Sequence, residues 1–107
     1  MRFAITQTAG GDAESGIDAP SVLPAGWHHV AVVIDAESMM AQLYLDGEVV
    51  AQGVTATLPA DMGNTTHNWL GRSQYDADGF FTGNIDEFRI YNRALSTEEI
   101  LYLAGAR

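Results

Sequence analysis

"AQLYLDGEVVAQG", residues 41–53, places two short apolar runs on either side of Asp46-Gly47. A type I′ turn needs positive φ at both central residues, and Asp-Gly meets that demand at little cost. The stretch therefore predicts an antiparallel hairpin of 41–45 with 48–52. Immediately upstream, "WHHVAVVID", 27–35, is rich in β-branched residues and apolar on both faces near its middle. A strand of that kind belongs inside a sandwich, covered from both sides.

Outward from the hairpin the chain continues as short strands separated by turn residues. "FAITQT", 3–8, alternates and reads as a strand. "AGGDAESG", 9–16, reads as loop, and "IDAPSVLPAG", 17–26, as a short extended piece broken by two prolines. "TATLP", 55–59, is a further short strand, "WLGRS", 69–73, another, and "FFTGNIDEFRIYNR", 80–93, the last and longest. "LSTEEILYLAGA", 95–106, is the one helix. Ser96 and Glu99 form a capping box, Leu95 and Ile100 a hydrophobic staple, and Gly105 stands at the C-terminal stop. The cap is worth about 0.5–2 kcal/mol. Even spacing of short strands predicts an all-β fold, an antiparallel two-sheet β-sandwich or jelly roll with one short C-terminal helix.

Bulk composition bounds the function. The 107 residues suffice for a single domain, 1–107, and 47% hydrophobic content fits a globular chain. The net charge is −9, and all five basic residues are arginine. That balance repels phosphate backbones and anionic membrane surfaces, so neither nucleic acid nor membrane insertion is expected. No apolar run is long enough to span a bilayer, and the N-terminus reads as lacking a signal peptide. With no cysteine, disulfides, thiolate metal sites and cysteine nucleophiles are excluded. No phosphate-binding loop, dinucleotide fingerprint or G-x-S-x-G elbow occurs.

Four stretches come in a telling order: "GWHHVAVVID", "AQLYLDGEVVAQG", "NWLGRS" and "FTGNIDEFRIYNRALSTEEI". Together, over about 26–104, they resemble the laminin G-like group of the concanavalin A-like lectin and glucanase superfamily. The resemblance falls on Trp27, His29, Val30 and Ala31, on Tyr44, Asp46 and Gly47, and on Leu70, Gly71 and Ser73. It is most specific over Gly83 through Ser96. It implies a two-sheet jelly roll and a non-catalytic module of an extracellular or cell-surface protein, often bacterial, that binds carbohydrate or protein. These motifs belong to the C-terminal part of the family's longer domain, so the chain reads as an N-terminally truncated laminin G-like domain.

Asp86 and Glu87 are the obvious catalytic question. Adjacent strand residues point to opposite faces, so a regular strand cannot close both on one glycosidic bond, where retaining enzymes hold two carboxyls roughly 5–5.5 Å apart. Glucanases of the superfamily carry Glu-x-Asp-x-Glu on one strand face. Here that face reads Asn84, Asp86, Phe88, and both outer acids are gone. The chain is not expected to be an enzyme. Asp86 shares its parity with Phe88 and Ile90 and is expected to face inward, bonded to backbone N–H groups, arginine or histidine.

Calcium is the one cofactor for which residues are on hand, with Asp86, Asp76 and Asp78 as candidate ligands. Calcium wants six to eight oxygens, so these need help from elsewhere. Zinc is disfavoured because His28 and His29 are adjacent in a strand and diverge; the third histidine is His67. For carbohydrate, Tyr75 and Phe80 are the candidate stacking platforms and Asp76 and Asp78 the candidate hydrogen-bonding acids, while Trp27 and Trp69 are expected to fill the core.

Two functional expectations follow. The first is weak carbohydrate binding by a surface module. The alternative is a structural, adhesion or protein-interaction unit without a small ligand. A jelly roll lacking strands would leave the two-faced strand 27–35 uncovered. Self-association as a homodimer is therefore expected, the competing outcome being that residues 1–25 cover the gap.

Overall fold

A computed structural model describes residues 1–7, 15–73 and 77–105. Its strands are β1 (Arg2–Ile5), β2 (Ser15–Asp18), β3 (Val30–Asp35), β4 (Met40–Leu45) and β5 (Glu48–Val54), followed by a 3-10 turn at Pro59–Met62 and α1 (Thr97–Leu103). β1 and β2 pair antiparallel as one sheet, and β3-β4-β5 form a second, also antiparallel. The architecture is all-β, two sheets and one short C-terminal α-helix, as the sequence predicts.

The hairpin forms at the expected place. Asp46 has φ 51° and Gly47 φ 89°, both positive as the type I′ turn demands, and Leu45 pairs with Glu48 across it. One irregularity follows. The register moves from Leu43 opposite Ala51 to Tyr44 opposite Val49, which leaves Val50 as a bulge. Neighbouring strand residues normally point to opposite faces, yet Val50 and Ala51 both pack on the same apolar cluster. The bulge allows this.

β4 lies at the centre and is buried on both sides. Ala41 and Leu43 pack with Ile17 of β2, while Met1, just before β1, and Phe3 of β1 close the cluster. On the opposite face, Tyr44 packs with Val33 of β3 and Ile100 of α1. The Tyr44 hydroxyl donates to Gln42 Oε1 at 3.1 Å and lies 3.5 Å from Thr97 Oγ1, so this buried phenol keeps polar partners. The two sheets approach closely at Gly53, where a β-carbon would stand 2.9 Å from Ile17 Cγ2. Residues 1–5 and 15–18 thus supply the second sheet and cover one face of β4 from within the chain, while β3, the strand expected to be uncovered, keeps Val30 and Val32 exposed.

α1 is held by the predicted capping box. Ser96 Oγ accepts from Glu99 N–H at 3.2 Å, and Glu99 Oε1 accepts from Ser96 N–H at 2.9 Å. Arg93 also grips the Glu99 carboxylate through both terminal nitrogens. That pairing, with the Ser96 backbone bond, lowers the Glu99 pKa to about 2.

Asp46 does more than turn the hairpin. Its Oδ2 lies 2.7 Å from His28 Nδ1, and its Oδ1 accepts from His29 N–H at 2.9 Å. The turn is thereby clasped to the residues that lead into β3. The hydrogen bond to Asp46, then the Ala25 carbonyl, raise the His28 pKa, and the same clasp lowers that of Asp46. A raised histidine stabilises the fold below its unfolded pKa of about 6.5 and loses that contribution as pH climbs through the folded value. A depressed carboxylate contributes above its unfolded value and fades as pH falls through the folded one. Stability from this clasp is therefore greatest between the two ranges and declines on the alkaline side. Urea midpoints measured from pH 5 to pH 9 are expected to fall across the histidine range in the native chain. In His28→Ala that fall should disappear, and an unchanged slope would show that the clasp contributes nothing.

Several expected strands are not strands. "TATLP" forms no strand, because β5 ends at Val54 just before it. Thr55 and Thr57 are then buried, with Thr55 Oγ1 donating to the Thr57 carbonyl at 2.8 Å. "WLGRS" and "FFTGNIDEFRIYNR" form no ladder among the described residues. Glu87 takes φ 55°, which breaks the alternation of a regular strand at the charged doublet. The apolar residues of this run stand in solvent, with Phe80 73% and Ile90 83% exposed. A strand is stable only beside a partner, and here the pattern is present without one. No helix among the described residues is long and apolar enough to cross a membrane.

Candidate functional site

Beyond the 3-10 turn, two irregular segments meet. Phe81 N–H donates to the Gly71 carbonyl at 2.8 Å and ties 69–73 to 80–83. Gly71 has φ 76°, a conformation that suits glycine. Gly83 lies under the Phe81 ring, where a β-carbon would come within 2.9 Å of it. These glycines let the two segments run close.

The junction gathers three rings and one guanidinium. The Arg72 guanidinium carbon sits 4.3 Å from the Trp69 ring centroid and 5.7 Å from that of Phe80. Both are within cation–π range. On Trp69 the His67 ring is stacked at 5.2 Å with an interplanar angle of 28°. Next to this cluster opens a cleft of about 460 Å³ lined by Leu70, Arg72, Phe80, Phe81 and Ile85. Its size falls within the range of roughly 300–1,000 Å³ common for ligand sites.

Phe80, expected as a sugar platform, is in this cluster and exposed. Tyr75 and Asp76 lie outside the described residues. Asp78 is exposed on the neighbouring loop. Trp69 was expected in the core and is instead 43% exposed, and Trp27 is 70% exposed. Each opens an apolar stretch, but neither stretch places its tryptophan against a sheet face. Trp69 and Arg72 are the participants that sequence reasoning missed as site residues. A signal was available: Arg72 has a tryptophan three residues before it and no acid within three residues, unlike Arg89 with Glu87 two residues before it.

Asp86, expected to face inward, does not. Asp86 is exposed, and its Oδ1 accepts from Glu87 N–H at 2.8 Å. Glu87 pairs with Arg89 at 2.7 Å. Asp86 faces solvent because the run that carries it packs on neither sheet. For calcium, no group of three acidic or histidine side chains suited to a metal occurs among the described residues. Asp78 and Asp86 alone supply too few oxygens for a coordination number of six to eight. His28 is bonded to Asp46 and Ala25, and His67 is stacked on Trp69, so the histidines do not converge.

Comparison with known proteins places these features in context. Residues 1–101 match a laminin G family profile described as the concanavalin A-like lectin/glucanases superfamily. The match includes the N-terminal residues of β1 and β2, beyond the stretch whose motifs carry the resemblance in the sequence. A similar solved structure is that of an S-layer domain-containing protein, residues 221–444, from Clostridium thermocellum. The two share 37% identity with a TM-score of 0.67 over 97% of this chain and 51% of that one. The chain thus spans about half the length of that solved structure. No curated protein matches it.

Proposed function

The chain belongs to the concanavalin A-like lectin/glucanases superfamily as a laminin G-like member, and we propose that it is a non-catalytic recognition module of the cell surface that binds carbohydrate. The observation that carries this reading is the exposed cluster of Trp69, Arg72 and Phe80 beside an open cleft. Aromatic faces left in solvent next to polar groups are what a pyranose ring stacks on, its C–H face against the ring and its hydroxyls toward water and polar side chains. A non-catalytic role is supported by the charged doublet, where one carboxylate caps its own backbone and the other is paired with arginine. Likeness to an S-layer domain-containing protein supports placement outside the cell.

A glycan array tests the reading. Weak binding is expected to some member of the array and to fall at least tenfold in Phe80→Ala, since an aromatic platform typically contributes more than 1 kcal/mol of binding energy. Incubation with β-glucans, xylans and sialosides is expected to give no turnover. An array blank with and without calcium would reject the lectin reading and leave the second one.

That second reading is a structural, adhesion or protein-interaction module, and one observation favours it. Phe80, Ile85, Phe88 and Ile90 are all more than half exposed along one run. Contiguous apolar surface of this kind marks contact with another protein. Within this reading the run is covered by a second copy of the chain.

A further inference from the structure

Arginine is the only strong cation in this chain, and its placement is informative. Arg2 pairs with Asp18 at 3.8 Å, Arg89 with Glu87 and Arg93 with Glu99. Arg72 is different. Among the described residues its contacts are with the faces of Trp69 and Phe80, and its side chain is exposed. A ring face engages the positive charge of a guanidinium and leaves its N–H donors available. Those donors form a planar fork matched to a carboxylate, which takes two parallel N–H···O bonds. The rings on either side would limit the rotamers of the long side chain, so less freedom is lost when an anion binds.

We propose that the cluster is a receptor for a carboxylate-bearing sugar ring, with Arg72 taking the carboxylate and Phe80 the ring's apolar face. The proposal rests on the carbohydrate-binding reading above and narrows it to acidic saccharides. A neutral sugar would need the aromatic faces alone, and an unpaired guanidinium held over them would add little. A densely sulfated polymer is disfavoured for the opposite reason. Its many charges would meet a chain of net charge −9 in which, among the described residues, Arg72 is the one arginine not paired with an acid. One carboxylate on one ring matches one fork, and repulsion from distant acids is screened over about 8 Å at physiological salt. The cleft of about 460 Å³ beside Arg72 gives such a ring room.

The test uses matched pairs that differ only at C6: methyl glucuronide against methyl glucoside, and methyl galacturonide against methyl galactoside. Binding is followed by NMR titration of the native chain. In at least one pair the acid is expected to bind about tenfold more tightly than its neutral partner. Arg72→Gln should bring that ratio to about one while keeping the neutral affinity, and Phe80→Ala should weaken both. Equal affinities within both pairs in the native chain would overturn the acidic-sugar proposal and leave carbohydrate binding standing. Failure of all four sugars to bind would overturn the acidic-sugar proposal, and the glycan array then decides whether carbohydrate binding stands. If Arg72→Gln lowers the thermal midpoint, the native chain decides alone. A ratio that collapses toward one between about 50 mM and about 500 mM salt supports the charge-assisted contact, and a constant ratio overturns it.

Discussion

Gly47→Ala is expected to destabilise the fold by about 3 kcal/mol. Two effects add. Gly47 has φ 89° at the second centre of the hairpin turn, where an L-residue costs about 1–2 kcal/mol. Its missing side chain also makes room for the helix: a β-carbon there would lie 2.7 Å from Leu101 Cδ1 and 3.3 Å from Leu101 Cα. The first contact can be relieved by a rotamer change, but the second is backbone and requires α1 to shift. Overpacking of that kind costs about 1–3 kcal/mol. Gly26 supplies the control, since it has φ 94° and nothing within 4 Å of its would-be β-carbon. Gly26→Ala should show the conformational cost alone, about 1–2 kcal/mol. Urea denaturation of the two variants separates the terms. Equal losses would mean that the hairpin does not support the helix.

That contact explains why the turn and the helix, far apart in sequence, act as one unit. Tyr44 and Ile100 bury the sheet–helix face, and the turn that ends β4 comes close to Leu101 of the same helix and to Ala104, its C-cap. The Asp46 carboxylate then fastens the other side of the turn to His28 and His29. One two-residue turn therefore joins β3, β4, β5 and α1. Its chemistry is local, and so it was legible: Asp-Gly between apolar runs specifies the turn, and Ser-x-x-Glu specifies the start of the helix, whatever surrounds them.

What depends on distant partners was less legible. Ser15–Asp18 reads as the end of a polar loop and the start of an extended piece, yet it forms β2 because Arg2–Ile5 offers it an edge and Ile17 reaches the core under Gly53. Conversely, 80–93 has a strand's apolar pattern but no neighbour to ladder with among the described residues. Alternation records which side chains could be buried, and says nothing of whether a partner arrives. The same gap hid the candidate site. Trp69 beside Leu70 looks like core from its neighbours alone, and only the meeting of 69–73 with 80–83 turns it into a surface platform for Arg72. Of the acids singled out for a ligand or metal, Asp78 and Asp86 are exposed, and Asp76 stands with Tyr75 in the stretch outside the described residues.

Sedimentation at micromolar concentration is expected to give a particle of twice the 11.5 kDa of one chain. Cover of the central sheet does not demand this, because β1 and β2 pack on one face of β4 and α1 on the other. The demand comes from the end of the run 80–90, beyond the cleft. Phe88 and Ile90 are exposed by 59 and 83%, and among the described residues no sheet or helix lies over them. A second exposed feature fits it. β3 is an edge of its sheet, and its Val30 and Val32 are also exposed. Open edges and bare apolar runs both seek partners, and each copy carries one of each. A two-fold arrangement satisfies both at once: the run of one copy lies along β3 of the other, and the reciprocal contact closes the pair. Ile90→Glu places a charge in the middle of that contact and should shift the particle to 11.5 kDa, while a cooperative unfolding transition persists. Ile90 touches neither core cluster, so the substitution tests association rather than folding. A native chain that sediments as a monomer and unfolds cooperatively would refute the paired arrangement and show that the two-sheet core stands without it.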